Sequence, residues 1–511
     1  MTWSKQELHD FVRERLRDFK LIVVSNREPY IHGYAGDRIE CVQPASGMVA
    51  ALDPIMQACG GVWVAHGSGD ADMATTDANH CVDVPPENPL YKLRRVWLDK
   101  EQEAGYYYRL SNEGLWPLCH IVYRRPAFHP EDWQLYRDVN ALFADAVIEE
   151  AGDSPTFVFI QDYHFGLLPR MLKDRNPNLV VAQFWHIPWP NREMFRAFPW
   201  QEELLDGMLA NDLLGFHLRY HCRNFVETVD RSLECLVDHE RHEITRRGKT
   251  TAVRAFPISI DFEEHSDKAS GPEVAEEMVR WKRQLGLRGR VFGVGLDRID
   301  YTKGIPDRLR SLDRFLETNP EFRERLVFLQ VGVPSRIHIE EYRLLGEEIE
   351  SLVEEINWKW LTRSWRPIVL LKQHLGPRAM MALHRLADFC MVTSLHDGMN
   401  LVAKEYVASR SDDDGVLILS RFTGAAGELE DAVLVNPFDR EDCADAIRKA
   451  LEMPAEERRR RMQKMRAVVA GNDVYRWAGK IVSSLLKFEF PQPMQPEREE
   501  RILWIQSGAS C

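Results

Sequence analysis

The chain has 511 residues, 44% of them hydrophobic and 28% charged, which is enough apolar material for a large core and too much for a single one, so two domains are expected. Its net charge of -13 comes with basic residues spread along the chain and no lysine or arginine block, which argues against nucleic-acid and membrane-surface partners and leaves a small molecule. Nine cysteines without any CxxC spacing exclude a disulfide framework and read as the reduced thiols of a cytoplasmic protein. Neither a leader-like apolar segment nor a run of about eighteen apolar residues occurs.

Taken in chain order, Leu8, Phe11, Val12, Leu16 and Phe19 fall at helical spacing and predict an amphipathic helix packed on the body. Short apolar, β-branched runs follow at 21 to 25, 62 to 66, 156 to 160, 179 to 185 and 212 to 216, separated by helical patterns in the alternation of a parallel α/β sheet. Around 256 to 277 the pattern lapses into a polar stretch with Ser, Gly and Pro, the expected crossing between domains. A second series runs through 291 to 295, 326 to 332, 368 to 372, 389 to 394, 415 to 420 and 432 to 436. The predicted fold class is α/β, with two doubly wound Rossmann-like domains (1 to 258 and 259 to 475) facing a deep cleft. Residues 476 to 511 are expected to form a helix returning to the first domain and then a partly ordered tail. Ligands belong at the carboxyl ends of the strands.

Several fingerprints of such folds fail. After Gly293 and Gly295 the third glycine of a dinucleotide motif is replaced by Arg298, and after Gly67 and Gly69 by Asp72; no P-loop and no GxSxG elbow is present. His217 and His221 have i, i+4 spacing, but no glutamate follows His217, so they read as helix-surface histidines, and no metal or cofactor is assigned. Asp70 and Asp72 read as loop acids. Arg298 and Lys303 sit on a loop leaving a strand, where two cations could neutralise a diphosphate or simply lie solvated at the surface. After the strand at 389 to 394, the turn through Gly398, Met399, Asn400 and Leu401 opens a helix and frees backbone N–H groups for an anion. Asp397 reads equally as a helix cap and Glu405 as an ion-pairing helix residue.

Nine motifs carry a resemblance: VVSNR (23 to 27), SGM (46 to 48), YYYRLSNEGLWP (106 to 117), QDYH (161 to 164), HIPWP (186 to 190), DRIDYTKG (297 to 304), PSR (334 to 336), DGMNLVAKEYVAS (397 to 409) and GAAGEL (424 to 429). Over roughly residues 20 to 488 the sequence resembles the trehalose-6-phosphate synthase family, retaining glycosyltransferases of the two-domain GT-B type that also include glucosylglycerol-phosphate synthases. The resemblance implies a nucleotide-sugar donor, with uridine as the default nucleotide, a sugar-phosphate acceptor, no cofactor and self-association into a homo-oligomer. Arg27 and Arg336 match the arginines that grip the acceptor phosphate, and Tyr107 and Trp116 the aromatic pair that shapes the acceptor pocket. Gly47 matches the loop glycine that touches the donor diphosphate. Asp162 and His186 match polar residues of the reaction centre, and Arg298 and Lys303 the diphosphate clamp. Asp397 and the turn from Gly398 to Leu401 match the donor-sugar contacts, and Glu405 the carboxylate that holds the ribose.

That family retains anomeric configuration without an enzymic nucleophile, which implies a front-face reaction rather than the two-carboxylate scheme of retaining glycosidases. Two departures bear on the acceptor. His66 replaces a tryptophan usual in the acceptor region, and NREPY (26 to 30) is similar to enzymes that use glycerol 3-phosphate. A non-catalytic sugar-phosphate sensor would be expected to have lost part of the donor clamp, which is complete here.

Overall fold

The computed structural model describes residues 4 to 16, 19 to 44 and 47 to 488, so the expectation for the tail lies outside the described residues. Its first sheet is built from β1 (Lys20–Ser25), β4 (Val62–His66), β5 (Cys81–Val84), β6 (Tyr91–Val96), β7 (Thr156–Gln161), β8 (Val180–Phe184), β9 (Leu213–Phe216), β10 (Leu236–Asp238), β11 (Glu243–Arg246) and β12 (Lys249–Ala255). A separate hairpin pairs β2 (Ile31–Ala35) with β3 (Arg38–Val42). In space the strands run β10-β11-β12-β9-β8-β7-β1-β4-β6-β5. The middle is parallel, because its strands are joined by crossover helices, and β7, β8 and β9 are buried at every position, as a sheet covered on both faces requires.

The alternation in the sequence predicts a parallel sheet, and the edges of this one differ: β5 runs antiparallel to β6, and β10 and β11 are antiparallel hairpin strands. These short edge strands are half-exposed, so they lack the continuous apolar run that marks a buried strand.

The second sheet contains β13 (Val291–Arg298), β14 (Leu326–Val333), β15 (Ile368–Leu371), β16 (Phe389–Val392), β17 (Val416–Ser420) and β18 (Val433–Val435). Its order is β15-β14-β13-β16-β17-β18, all parallel. In both sheets the winding reverses beside the first strand, between β1 and β7 and between β13 and β16. At such a point adjacent loops diverge and leave a crevice outside the strand ends. The polar stretch between the sheets is not a loop. Asp261 caps a helix over Phe262–Ser270, and Pro272 opens another to Gln284, since Pro is tolerated in a first helical turn.

Ser4 and Glu7 form a capping box on the helix Lys5–Arg15, which buries Leu8 and Val12 against the helices Gly47–Cys59 and Val474–Leu485. Phe19 lies beyond that helix. The helix Val474–Leu485 also sets Trp477 against Phe184 (5.4 Å between ring centroids) and donates from its indole to the Phe256 carbonyl. The end of the chain is thereby tied to the first sheet. No described helix is long and apolar enough to cross a membrane.

Candidate active site

Both crevices open onto one interlobe cavity. Strand β1 ends at Ser25 and delivers Asn26 and Arg27; β7 ends at Gln161 and delivers Asp162, Tyr163 and His164 in a short 3-10 turn. A π-helix over Ala104–Leu115 supplies Tyr107 and runs into Trp116; its wide turns are rare and concentrate at functional sites. From the second lobe come Arg298 at the end of β13 and Arg336 beyond β14. Together these residues and Met48 line a cavity of about 240 Å³. Arg27, Tyr107, Trp116, Asp162, Arg298 and Arg336 are therefore neighbours, as the resemblance implies. Asn26, Met48, Gln161, Tyr163 and His164 line the same space and were not singled out, although each belongs to, or adjoins, a motif that was.

The electrostatics of the cavity are one-sided. Burial would raise the Tyr107 hydroxyl, yet Arg336, Arg27 and Arg298 hold it below its ordinary value, with Arg27 also hydrogen-bonded to it. Three guanidinium groups around one neutral phenol make a site for a multiply charged anion, since paired arginines match the fork geometry of phosphate oxygens. Arg336 lies 4.2 Å over the Trp116 ring and donates to the Tyr342 hydroxyl at 2.6 Å. Its ion pair with Asp300 at 3.3 Å keeps that carboxylate charged: burial pushes Asp300 up, but Arg336, Arg298 and Lys303 hold it below the usual range.

Asp162, Arg336 and Asn400 all have positive φ, at 72°, 50° and 83°. Such conformations cost non-glycine residues about 1–3 kcal/mol and persist where surrounding structure imposes them. For Asp162 the imposing contacts are a bond from its backbone N–H to the Phe184 carbonyl at 2.7 Å and bonds to its carboxyl from the N–H groups of Tyr163 (2.9 Å) and His186 (3.2 Å). Burial nevertheless pushes its carboxyl up to about 7, against those N–H bonds and the charge of Arg336. His186 is neutral, lowered to about 3 by burial, with Nε2 at 3.0 Å from the Gln161 side-chain oxygen.

The donor-side residues gather after β16. Asp397 caps no helix: Asn400 does, accepting from the Ala403 N–H at 3.1 Å. Instead Asp397 receives Lys303 at 2.6 Å, Asn400 at 3.1 Å and Ser394 at 3.2 Å, and Lys303 holds it well below its ordinary value despite burial. Lys303 is thus paired across the crevice, where the sequence suggested a cation free beside Arg298. Gly398 lies so close to the other lobe that a Cβ there would sit 2.4 Å from the His186 carbonyl oxygen and 3.1 Å from the His217 ring. Met399 is buried and Leu401 opens the helix Leu401–Ser409. On that helix burial pushes Glu405 up to about 7, and no cation pairs with it among the described residues. A carboxyl kept there without a cation has spare accepting capacity for a polar ligand group. Gly47 opens the helix after the hairpin.

Two expectations need correction. His217 and His221 are not on a helix surface: the helix begins at Arg219, so His217 sits in the preceding turn against Phe184 and His186, and both rings are buried. The i, i+4 spacing arose across a strand-to-helix turn. Asp72 is not a loop acid but is fully buried in an ion pair with Arg95 at 2.7 Å. His66 ends β4, its Nδ1 3.2 Å from the Val96 carbonyl.

Residues 19–487 match the description of glycosyltransferase family 20. A trehalose-6-phosphate synthase of Mycobacterium marinum is 37% identical over 490 residues, covering 94% of this chain and 97% of that protein, and one of Mycobacterium leprae is 38% identical over 483 residues, covering 92% and 95%. A solved structure from E. coli with UDP-2-fluoro glucose bound superposes with a TM-score of 0.82 at 31% identity over 92% of this chain and 99% of that one. The alpha,alpha-trehalose-phosphate synthase of Burkholderia xenovorans in complex with glucose-6-phosphate gives 0.82 at 29% identity over 91% and 100%. The two facing doubly wound sheets are accordingly the GT-B fold, and the loops that meet between them are those of a glycosyltransferase of family 20, the trehalose-6-phosphate synthase family, to which this chain belongs.

Proposed function

We propose that the protein transfers glucose from a nucleoside diphosphate glucose, UDP-glucose first among them, to glucose 6-phosphate, with retention, forming α,α-trehalose 6-phosphate. The observation that carries this reading is the convergence of Arg27, Arg298 and Arg336 on Tyr107 in a cavity walled by Trp116. Such a site suits a sugar phosphate with a ring to stack and a dianion to hold. The relatives named above support it, since one of them holds a UDP-glucose analogue and another glucose-6-phosphate.

In the reaction this implies, the acceptor hydroxyl attacks the anomeric carbon on the face that the diphosphate leaves. The leaving oxygen takes the hydroxyl proton while Arg298, Lys303 and the N–H groups at the start of the helix Leu401–Ser409 stabilise the departing charge. Asp300 is committed to Arg336 and Asp397 to Lys303, so neither is offered as a nucleophile. Glu405 is read as the ribose contact and Gly47 as a close approach to the diphosphate.

Asp162 is read as accepting a hydrogen bond from the acceptor, a role that needs its ionised form. Because burial holds its carboxyl near 7, the protonated form dominates below that pH, and kcat/KM should rise with pH through about 7. The acceptor phosphate also titrates in this region, so the check is Asp162→Asn, which should reduce the limb to the part the phosphate alone supplies; a limb unchanged in Asp162→Asn would remove this role.

Glycerol 3-phosphate is the competing acceptor. Two arginines recognise a dianion whatever carries it, but glycerol has no ring to cover Tyr107 and Trp116. Glucose 6-phosphate should therefore be preferred in kcat/KM by at least about tenfold, or 1.4 kcal/mol. The experiment is competition of both acceptors for one labelled donor, and a product dominated by glucosylglycerol phosphate would overturn the acceptor assignment.

A further inference from the structure

Within NREPY (26 to 30) the residues beyond Arg27, and with them the segment GDAD (69 to 72), have no part in the reaction above, yet the fold joins them in one buried ionic cluster. Its pivot is Arg95 on β6, which is 1% exposed, between Glu28 (1%) and Asp72 (0%). Every arm of the guanidinium is engaged. Nε donates to Glu28 at 2.8 Å; Nη2 donates to the Tyr30 carbonyl at 3.1 Å and to His32 Nδ1 at 2.8 Å and is ion-paired with the Asp72 carboxylate at 2.7 Å; Nη1 donates to the Asp72 carbonyl at 3.0 Å and to Thr75 at 2.9 Å. The other Glu28 oxygen accepts from the Ser68 backbone N–H at 2.9 Å and its hydroxyl at 3.1 Å. Burial, with the Asp72 carboxyl beside it, pushes Glu28 up to about 8.

Burying two carboxylates with one guanidinium gains little stability over an apolar core, and such clusters are understood better through the arrangement they enforce. What is enforced here is the backbone of Arg27. The Asn26 carbonyl accepts from the His66 N–H at 3.3 Å, the Arg27 carbonyl accepts from Ser25 Oγ at 2.5 Å, and Ser25 Oγ accepts from the Trp63 indole at 2.7 Å. Glu28 closes the ring by fixing the next residue to the Ser68 loop and to β6. Of this group, Arg27 and its neighbour Asn26 line the cavity, and Arg27 carries the charge.

We propose that Glu28, clamped by Arg95 and Ser68, is a positioning residue that sets acceptor-phosphate affinity by fixing the backbone from which Arg27 reaches into the cavity. This rests on the reading that Arg27 grips the acceptor phosphate. The test is steady-state kinetics of Glu28→Gln, Ser68→Ala and Arg27→Ala, with KM for donor and acceptor, competitive inhibition by inorganic phosphate, and Tm.

Misplacement of a binding group by a fraction of an ångström should raise acceptor KM and the phosphate inhibition constant of Glu28→Gln about tenfold or more, with donor KM within about twofold. Ser68→Ala should move the same two constants in the same direction by less, and it carries the test if Glu28→Gln does not fold, because it leaves Arg95 paired. Arg27→Ala raising acceptor KM while both other variants leave it unchanged would overturn the inference alone. An unchanged acceptor KM in Arg27→Ala would defeat the underlying reading, and the inference with it. A parallel rise of donor and acceptor KM with lowered Tm would mark the cluster as merely structural and also overturn it.

Discussion

Lys303→Ala is expected to lower kcat by about a hundredfold to a thousandfold, or roughly 3–4 kcal/mol of barrier, the effect of removing one preorganised charge-stabilising donor. Lys303 meets Asp397 at 2.6 Å on a loop beside the winding reversal of the second sheet, so its charge is held in place and, in the proposed reaction, needs little reorganisation to meet the leaving diphosphate. Removing it also strands the Asp397 carboxylate in a buried setting, which destabilises the loop. The measurement is therefore single-turnover rate at saturating substrates, at a temperature where circular dichroism shows the variant folded, beside Lys303→Arg, which keeps the charge. A kcat near that of the wild type in folded Lys303→Ala would remove the lysine from the diphosphate clamp.

Gly398→Val should be nearly inactive while remaining folded. The two lobes approach there so closely that a Cβ would lie 2.4 Å from the His186 carbonyl oxygen, which is backbone and cannot swing aside. The loop carrying Asp397 must then retreat from the loop carrying His186, and a shift of about 1 Å between groups that must act together costs on the order of a hundredfold in kcat/KM. The contact joins two loops rather than either sheet, so Tm should fall only slightly. Retention of more than about a tenth of wild-type kcat/KM would show that these loops need not meet.

What was legible in the sequence follows from what is buried. Strands β1, β7 and β17 carry apolar runs rich in β-branched residues because crossover helices cover both their faces. The hairpin β2–β3 escaped notice because β3 is exposed along its whole length, so no burial pattern is written into it. The positions of Arg298, Lys303 and Asp397 just beyond strands could be seen, since a parallel sheet sends its loops to one edge. The Lys303–Asp397 pair could not, because its partners are 94 positions apart and meet only when β13 and β16 lie side by side. The same is true of Glu28 and Arg95, 67 positions apart. Tyr107 and Trp116 were placed through the resemblance alone, as the π-helix that presents them has no periodicity that strand or α-helix templates detect.

The most direct test of the account is the structure of the product. Incubation with UDP-glucose and glucose 6-phosphate, followed by mass spectrometry and proton NMR of the purified product, should show a hexose disaccharide monophosphate with both anomeric protons in the α configuration. A β-configured linkage, or UDP release accompanied only by free glucose, would contradict the proposed reaction.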